Sequence, residues 1–497
     1  MSLRDQLAAV YRRYLPYGFW IVTGIAAFLR FFNLGSPKAL IFDETYYIKD
    51  AWTLSHLGYE GQWLPESDAK WVSGVFSTFN HNASFIVHPP LGKWLIALPM
   101  LVFGPQNTWT WRFSSALVGT LAVVLIMFIA KRLFQSRSAA VLAGMFFAID
   151  GHAIVLARTS LLDNFLMFFA LLAFYFLIRD RDDARVKYSL RRSIKDAAPL
   201  EMRDHISSVI WNRPWLLACA VALGLATGVK WSGLYFAAAF GLYVVVSETL
   251  LRKRYGYKNW WSEGLFGQGV ATLVLMLPAY ALTYLATWTG WILTIGGWDR
   301  NSKPTWWESL IQYHKDIYQF HVNLHTPHSY ASNPLTWLFM IRPTSFYYES
   351  IPDSAACPSI NGCSSAITAM GNPFIWWGAA AAILYLVVHY ARYFNRTEGL
   401  ILLGFAAGYV PWLFYMQRTI FEFYAIAFLP YTILALVYVL RSLWYRHTPG
   451  RGFRWRKAIT IYLISVGLIS FFYLSEWWGF TTPYWYWLIH MWLPSWI

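Results

Sequence analysis

Residues 113–130 read FSSALVGTLAVVLIMFIA, an apolar run without Asp, Glu, Lys or Arg, closed by Arg112 before it and by Lys131–Arg132 after it. At ~1.5 Å per residue a helix of that length covers ~27 Å, close to the depth of a bilayer's hydrocarbon core. Ten further segments repeat the pattern: 17–32, 139–156, 165–178, 214–229, 232–251, 264–287, 374–390, 399–415, 424–440 and 459–474. The expected fold is therefore all-α and polytopic, with about eleven spans in a single transmembrane domain over 1–497. Composition agrees. The chain is 57% hydrophobic and 20% aromatic but only 13% charged, about half of what a soluble surface requires. No polar stretch is long enough to bury a core of its own.

The net charge of +15 does not point to nucleic acid, because its distribution is topological. With the N-terminus inside, 27 of the 40 Lys and Arg fall on the inner segments and 13 on the longer outer ones, which sets an N-in, C-out orientation. The excess also favours contact with anionic membrane lipids. The basic tail (Arg4, Arg12, Arg13) before the first apolar run reads as part of an uncleaved anchor. Two outer segments are long, 33–112 and 288–373. Both are rich in aromatic residues in amphipathic order, so helices at the membrane surface are expected there. Tyr47, Ile48, Ala51, Trp52 and Leu54 make one such face, and residues 306–320 make another. Leu91–Phe103 is too short to span and is expected to be a re-entrant or surface helix. Cys219 lies inside an apolar run. Cys357 and Cys363 flank a Pro/Asn/Gly turn in an outer, oxidising segment, which favours a short-loop disulfide over two free thiols.

Ionisable residues collect at the outer ends of spans: Arg112, Asp150, Arg158, Asp163, Lys230, Arg418 and Glu422, with the adjacent acids Asp43–Glu44 opening the first outer segment. Charge at membrane depth is costly and usually pairs or lines a site. Several cations beside carboxylates on one side of the bilayer suggest a pocket for an anionic lipid headgroup such as a phosphate. Simpler roles stand beside this one. Arg112 and Lys230 can be span-end anchors that snorkel, and Asp43 can cap the helix that Glu44 begins. His314, His321, His325 and His328 resemble a metal cluster, but Pro327 interrupts them and no Cys or acid completes a ligand set, so no metal is expected. A transporter would also embed charges, yet these gather on one face rather than along a path, and no internal repeat is visible.

Six strings then carry a resemblance: Phe42-Asp43-Glu44-Thr45-Tyr46-Tyr47, His88-Pro89-Pro90-Leu91-Gly92-Lys93, Trp111-Arg112-Phe113, Ser160-Leu161-Leu162-Asp163, Gly228-Val229-Lys230-Trp231-Ser232-Gly233-Leu234 and Gln417-Arg418-Thr419. Taken together and in order, the chain resembles the protein O-mannosyltransferases, multispan enzymes of the GT-C architecture. The segment 288–373 is too short for the β-trefoil MIR domain of eukaryotic members, so the likeness is to the actinobacterial branch.

The resemblance implies transfer of mannose from polyprenyl-phosphate-mannose to Ser or Thr hydroxyls of secreted proteins outside the cytoplasmic membrane, with inversion and without a cofactor. Such a step needs a base for the acceptor proton and cations for the phosphate leaving group. Asp43 is the expected base. Glu44 is expected to position the acceptor or orient a cation, or else to share a proton with Asp43. Arg112, Lys230 and Arg418 are the expected phosphate contacts, with His88 or Lys93 closing the donor site and Arg158, Asp163, His321 and Glu422 as further candidates. Contact with the secretion machinery fits such an acceptor. A related GT-C enzyme acting on a lipid or polysaccharide is the rival reading.

Overall fold

The computed structural model describes residues 15–199, 209–355, 357–446 and 452–497; the basic tail with Arg4, Arg12 and Arg13 lies outside them. The helices of eight residues or more are α1 (Gly18–Phe31), α2 (Glu44–Leu57), α3 (Leu91–Phe103), α4 (Thr108–Phe134), α5 (Arg137–Ile149), α6 (Gly151–Arg158), α7 (Leu162–Ala197) and α8 (Pro214–Val229). They continue with α9 (Gly233–Arg254), α10 (Val270–Thr287), α11 (Trp306–Val322), α12 (Pro373–Tyr393), α13 (Arg396–Tyr409), α14 (Leu429–Trp444) and α15 (Gly452–Trp478).

The apolar segments read from the sequence are mostly helical, with breaks at Asp150 and Phe428, but not all eleven have the length of a span. Among the described residues seven helices are long and apolar enough to cross a membrane: α4, α7, α9, α10 with its leading turns, α12, α13 with its continuation to Phe414, and α15. The pair α5–α6 makes an eighth if counted as one span bent by 60°. α1, α3, α8 and α14 are apolar but shorter. The bend has a local cause. The Asp150 carboxylate caps α6 by accepting from Ala153 N (3.1 Å), and it also accepts from Asn372 N and Trp376 Nε1, each at 3.0 Å. The next residue, Gly151, lies against the Trp477 ring with no room for a Cβ.

The core helix α8 is built from small residues, PWLLACAVALGLATGV, and packs between α7 and α10. A Cβ on Gly224 would come within 2.7 Å of Tyr280 O, and one on Gly228 within 2.5 Å of Thr287 Cγ2, so the G-x-x-x-G spacing sets how closely α10 approaches. That approach also places Lys230, which follows α8 directly.

The loop segments hold strands that the sequence reading did not foresee. β1 (Gly61–Trp63) pairs antiparallel with β2 (Phe79–Ala83) in the first. β3 (Ser345–Ile351), β4 (Cys363–Thr368) and β5 (Thr482–Pro483) form a second antiparallel sheet joining the other loop to the C-terminal region. Cys357 and Cys363 are joined by a disulfide at the start of β4. None of these strands exceeds seven residues and none shows a long apolar–polar alternation, so they carry little signal in sequence.

Candidate active site

The site is assembled at the end of the bundle that carries the two long loops. Phe42 adopts φ +48°, a left-handed conformation that costs a non-glycine residue ~1–3 kcal/mol. Its ring is held by Phe346, Phe423 and Phe421 at centroid distances of 4.9, 5.5 and 6.0 Å. The two acids that follow this turn end in different surroundings.

Glu44 is fully buried. Its Oε1 accepts from Arg112 Nε (2.8 Å) and Ser160 N (3.0 Å), and its Oε2 from Arg112 Nη2 (2.7 Å) and Ile41 N (3.1 Å). Arg112 donates its other hydrogens to the carbonyls of Leu34, Pro37 and Ala39. All five guanidinium hydrogens are used, and four segments are tied together: the turn before α2, the loop before it, α4, and the link between α6 and α7.

Asp43 precedes α2. Its backbone carbonyl accepts from Tyr46 N (3.0 Å) and Tyr47 N (3.1 Å), but its side chain makes no cap hydrogen bond and stays partly exposed. Burial pushes this carboxyl up to about 6; the Lys230 charge pulls it down, Asp163 pushes it up, and a hydrogen bond from Tyr47 pulls it down again. Lys230 donates to both oxygens of Asp163 at 3.0 Å and lies 4.6 Å from the centroid of the Tyr424 ring. The Tyr424 hydroxyl feels Lys230, Arg418, Asp163 and Asp43 together, so four distant segments meet around it.

Arg418 Nη2 donates to His321 Nδ1 (2.9 Å), and His321 Nε2 donates to Val87 O (2.9 Å), which fixes the tautomer. Burial, reinforced by the Arg418 charge, holds His321 down to about 4, so the ring is a neutral acceptor. Arg418 Nε is buried without a partner, and the guanidinium makes no ion pair among the described residues. His88 stacks on His321 (5.3 Å, 29°). Burial, followed by the charges of Lys230, His321, Lys93 and Arg418, keeps His88 well below its ordinary value. The wall continues through Trp231, whose Nε1 donates to the Tyr284 hydroxyl (3.1 Å), and through Tyr284, which donates to His314 Nε2 (2.6 Å).

The structure thus brings together Asp43, His88, Asp163, Lys230, His321 and Arg418. It takes other expected residues elsewhere. Arg112 is spent on Glu44 and carbonyls, so it has no hydrogen left for a phosphate. Of the roles expected for Glu44, it takes that of orienting a cation, and its two oxygens are filled rather than turned to an acceptor. Lys93 is fully buried, ion-paired with Glu60 and bonded to His88 O (3.1 Å), so it holds the His88 segment rather than a ligand. Arg158 donates to the carbonyls of Arg30 (3.1 Å), Phe32 (2.6 Å) and Asn33 (3.1 Å), closing the C-terminal end of α1, where a cation complements the helix dipole. Glu422 turns inward beside His152 (3.6 Å) with both carboxyl oxygens unpartnered, and burial pushes it well above the carboxylate range. The four histidines have separate partners: His314 bonds Leu310 O, His325 bonds Gln417 O, and His328 accepts from Tyr330 N. Sequence reasoning missed Tyr47, Tyr424, Glu60 and Tyr284. Tyr47 closes the string Phe42-Asp43-Glu44-Thr45-Tyr46-Tyr47 already singled out, and Tyr424 stands five residues after Gln417-Arg418-Thr419, at the head of the apolar segment 424–440. For Glu60 and Tyr284 nothing local marks them.

The helical membrane bundle, with an acid, a paired lysine and an unmatched arginine at one end, has the GT-C glycosyltransferase fold. Residues 20–294 match the dolichyl-phosphate-mannose-protein mannosyltransferase family, and residues 306–496 match the C-terminal four-transmembrane region of protein O-mannosyltransferase; the chain belongs to this family. It is 30% identical to the polyprenol-phosphate-mannose–protein mannosyltransferase of Mycolicibacterium smegmatis, over 96% of this chain and 92% of that protein. The protein of the same name from Corynebacterium glutamicum is also 30% identical, over 97% and 93%. The Saccharomyces cerevisiae protein O-mannosyltransferase Pmt1–Pmt2 complex bound to the sugar donor contains a chain of the same fold, with a TM-score of 0.71 at 15% identity, covering 97% of this chain and 92% of that one.

Proposed function

We propose that the chain transfers mannose from polyprenyl-phosphate-mannose to Ser or Thr hydroxyls of secreted proteins, at the outer face of the cytoplasmic membrane, by a single inverting displacement with Asp43 as general base. The acceptor oxygen attacks the anomeric carbon, its proton passes to the Asp43 carboxylate, and the carbon–oxygen bond to phosphate breaks with its electron pair on the leaving oxygen. The donor phosphodiester carries one negative charge and the departing monoester gains another. Cations at that position therefore stabilise the transition state more than the ground state. Arg418 and Lys230 take this role. Arg418 is aimed by neutral His321, while Lys230 is held by Asp163. The observation that carries the reading is the unmatched Arg418 beside Lys230 and an uncapped Asp43. The lipid chain leaves along the open, mostly apolar groove of about 520 Å³ lined by Leu285, Leu310, Ile311 and Tyr318 together with Lys315 and Gln319, which adjoins the site through His314.

The test uses membranes supplied with polyprenyl-phosphate-mannose and a Ser/Thr- and Pro-rich peptide. Asp43→Asn is expected to lower transfer by ~10²–10⁴-fold if the carboxylate is a general base. Near-normal transfer by folded Asp43→Asn protein would refute the assignment.

A further inference from the structure

At the opposite end of the same helices lies a second cationic cleft, of about 550 Å³, bounded by α7, α9, α12 and α13. From Asp163 to Arg181 α7 rises ~27 Å at 1.5 Å per residue, so this cleft sits about one hydrocarbon thickness from the candidate active site. Arg181 and Arg185, one turn apart on α7, meet Arg396 from the start of α13 and Tyr243 from α9. Their charge is poorly matched. Arg181 Nη2 bonds Asp182 Oδ1 at 2.7 Å, but Asp182 also serves Arg132 at 2.8 Å. Glu248, the acid on the cleft wall, is occupied by Arg213 (3.0 Å) and Arg252 (3.6 Å). Arg185 and Arg396 make no ion pair among the described residues. The rest of the wall is apolar, with Val246, Leu250 and Leu403 open to the cleft.

Three arginines converging between transmembrane helices at an interface, above apolar walls, match a phosphate-bearing headgroup with hydrocarbon chains beneath it. We infer that this cleft binds an anionic phospholipid of the opposite leaflet, its phosphate held by Arg185, Arg396 and Arg181 and an acyl chain lying against Val246, Leu250 and Leu403. The chemistry needed is a phosphate joined to a chain; neither part alone satisfies the cleft.

The delipidated protein is titrated in detergent with dioleoylphosphatidylglycerol, dioleoylphosphatidylcholine or inorganic phosphate, reading melting temperature and the lipid retained in native mass spectrometry. Phosphatidylglycerol is expected to raise the melting temperature and to be retained at one molecule per chain, with little effect from the other two. R185Q/R396Q is expected to weaken retention ~tenfold or more, since each interfacial cation contributes measurably to anionic-lipid binding. L403W, which keeps both arginines and fills the chain slot, is expected to reduce retention as well, so a folding failure in the first variant does not remove the test. Unchanged retention in either folded variant overturns the proposal. An equal rise with inorganic phosphate, indicating a free-anion site, or with phosphatidylcholine, indicating a general lipid effect, overturns it too.

Discussion

Two neighbouring regions begin at adjacent acids and differ in how their charges are balanced. Around Glu44 every polar atom has a partner: both carboxyl oxygens accept two hydrogen bonds, and Arg112 has no free hydrogen. Around Asp43 the balance is left open. The carboxylate caps nothing, burial raises it to about 6, and Arg418 keeps a buried Nε without a partner. A saturated buried network rigidifies, because breaking any member strands a charge. An unsaturated one at the membrane interface retains binding capacity for a ligand that supplies the missing groups. The lock therefore holds the frame in which the open site is poised.

This contrast can be broken most forcefully at the lock. Glu44→Ala leaves Arg112 charged and buried, which should cost about 3–5 kcal/mol and show as lost accumulation or a collapsed melting temperature. Asp43→Asn should leave melting nearly unchanged while transfer falls, and equal destabilisation by both would erase the distinction. Next in size, Arg418→Ala should lower kcat by ~10–100-fold, the value of one or two charge-assisted hydrogen bonds to the leaving phosphate, and raise the donor KM with peptide KM little changed. A matching rise in both would assign Arg418 to structure.

The pH profile sharpens the comparison further. With Asp43 near 6, kcat/KM should fall about tenfold per pH unit below that value, because the base is lost as its carboxylate takes up a proton. Tyr47→Phe removes a hydrogen bond that favours the ionised form, so the acid limb should move to higher pH. A limb that stays in place would detach Tyr47 from the base. The smallest effect belongs to the surface of the same helix. Asp68→Ala breaks the exposed contacts to Lys49 (2.6 Å) and Thr45 (2.6 Å) and should change stability by no more than ~1 kcal/mol and activity not at all.

Much of this was legible beforehand for reasons that are local. Hydrocarbon thickness imposes span lengths, so the apolar segments marked the helices, and the acids and cations at their ends marked the site. Asp43, Lys230, Arg418 and Asp163 were within reach of such reasoning, whereas His88 came only with the family resemblance and His321 from the run of histidines. Arg112 was not assigned correctly by it. A cation opening a span looks the same whether it awaits a phosphate or meets Glu44 from 68 residues earlier. Lys93 likewise gave no sign of Glu60, nor Arg158 of the carbonyls ending α1.

What the sequence determined by itself is the membrane-embedded helical architecture and the set of polar groups gathered at helix ends, because burial in hydrocarbon penalises each unmatched polar group where it stands. Only the tertiary structure decided which charges cancel one another and which remain unmatched. Pairing depends on distances of a few ångströms between segments far apart in the chain, and the energy of a charge inside a protein is set by those partners rather than by its own identity.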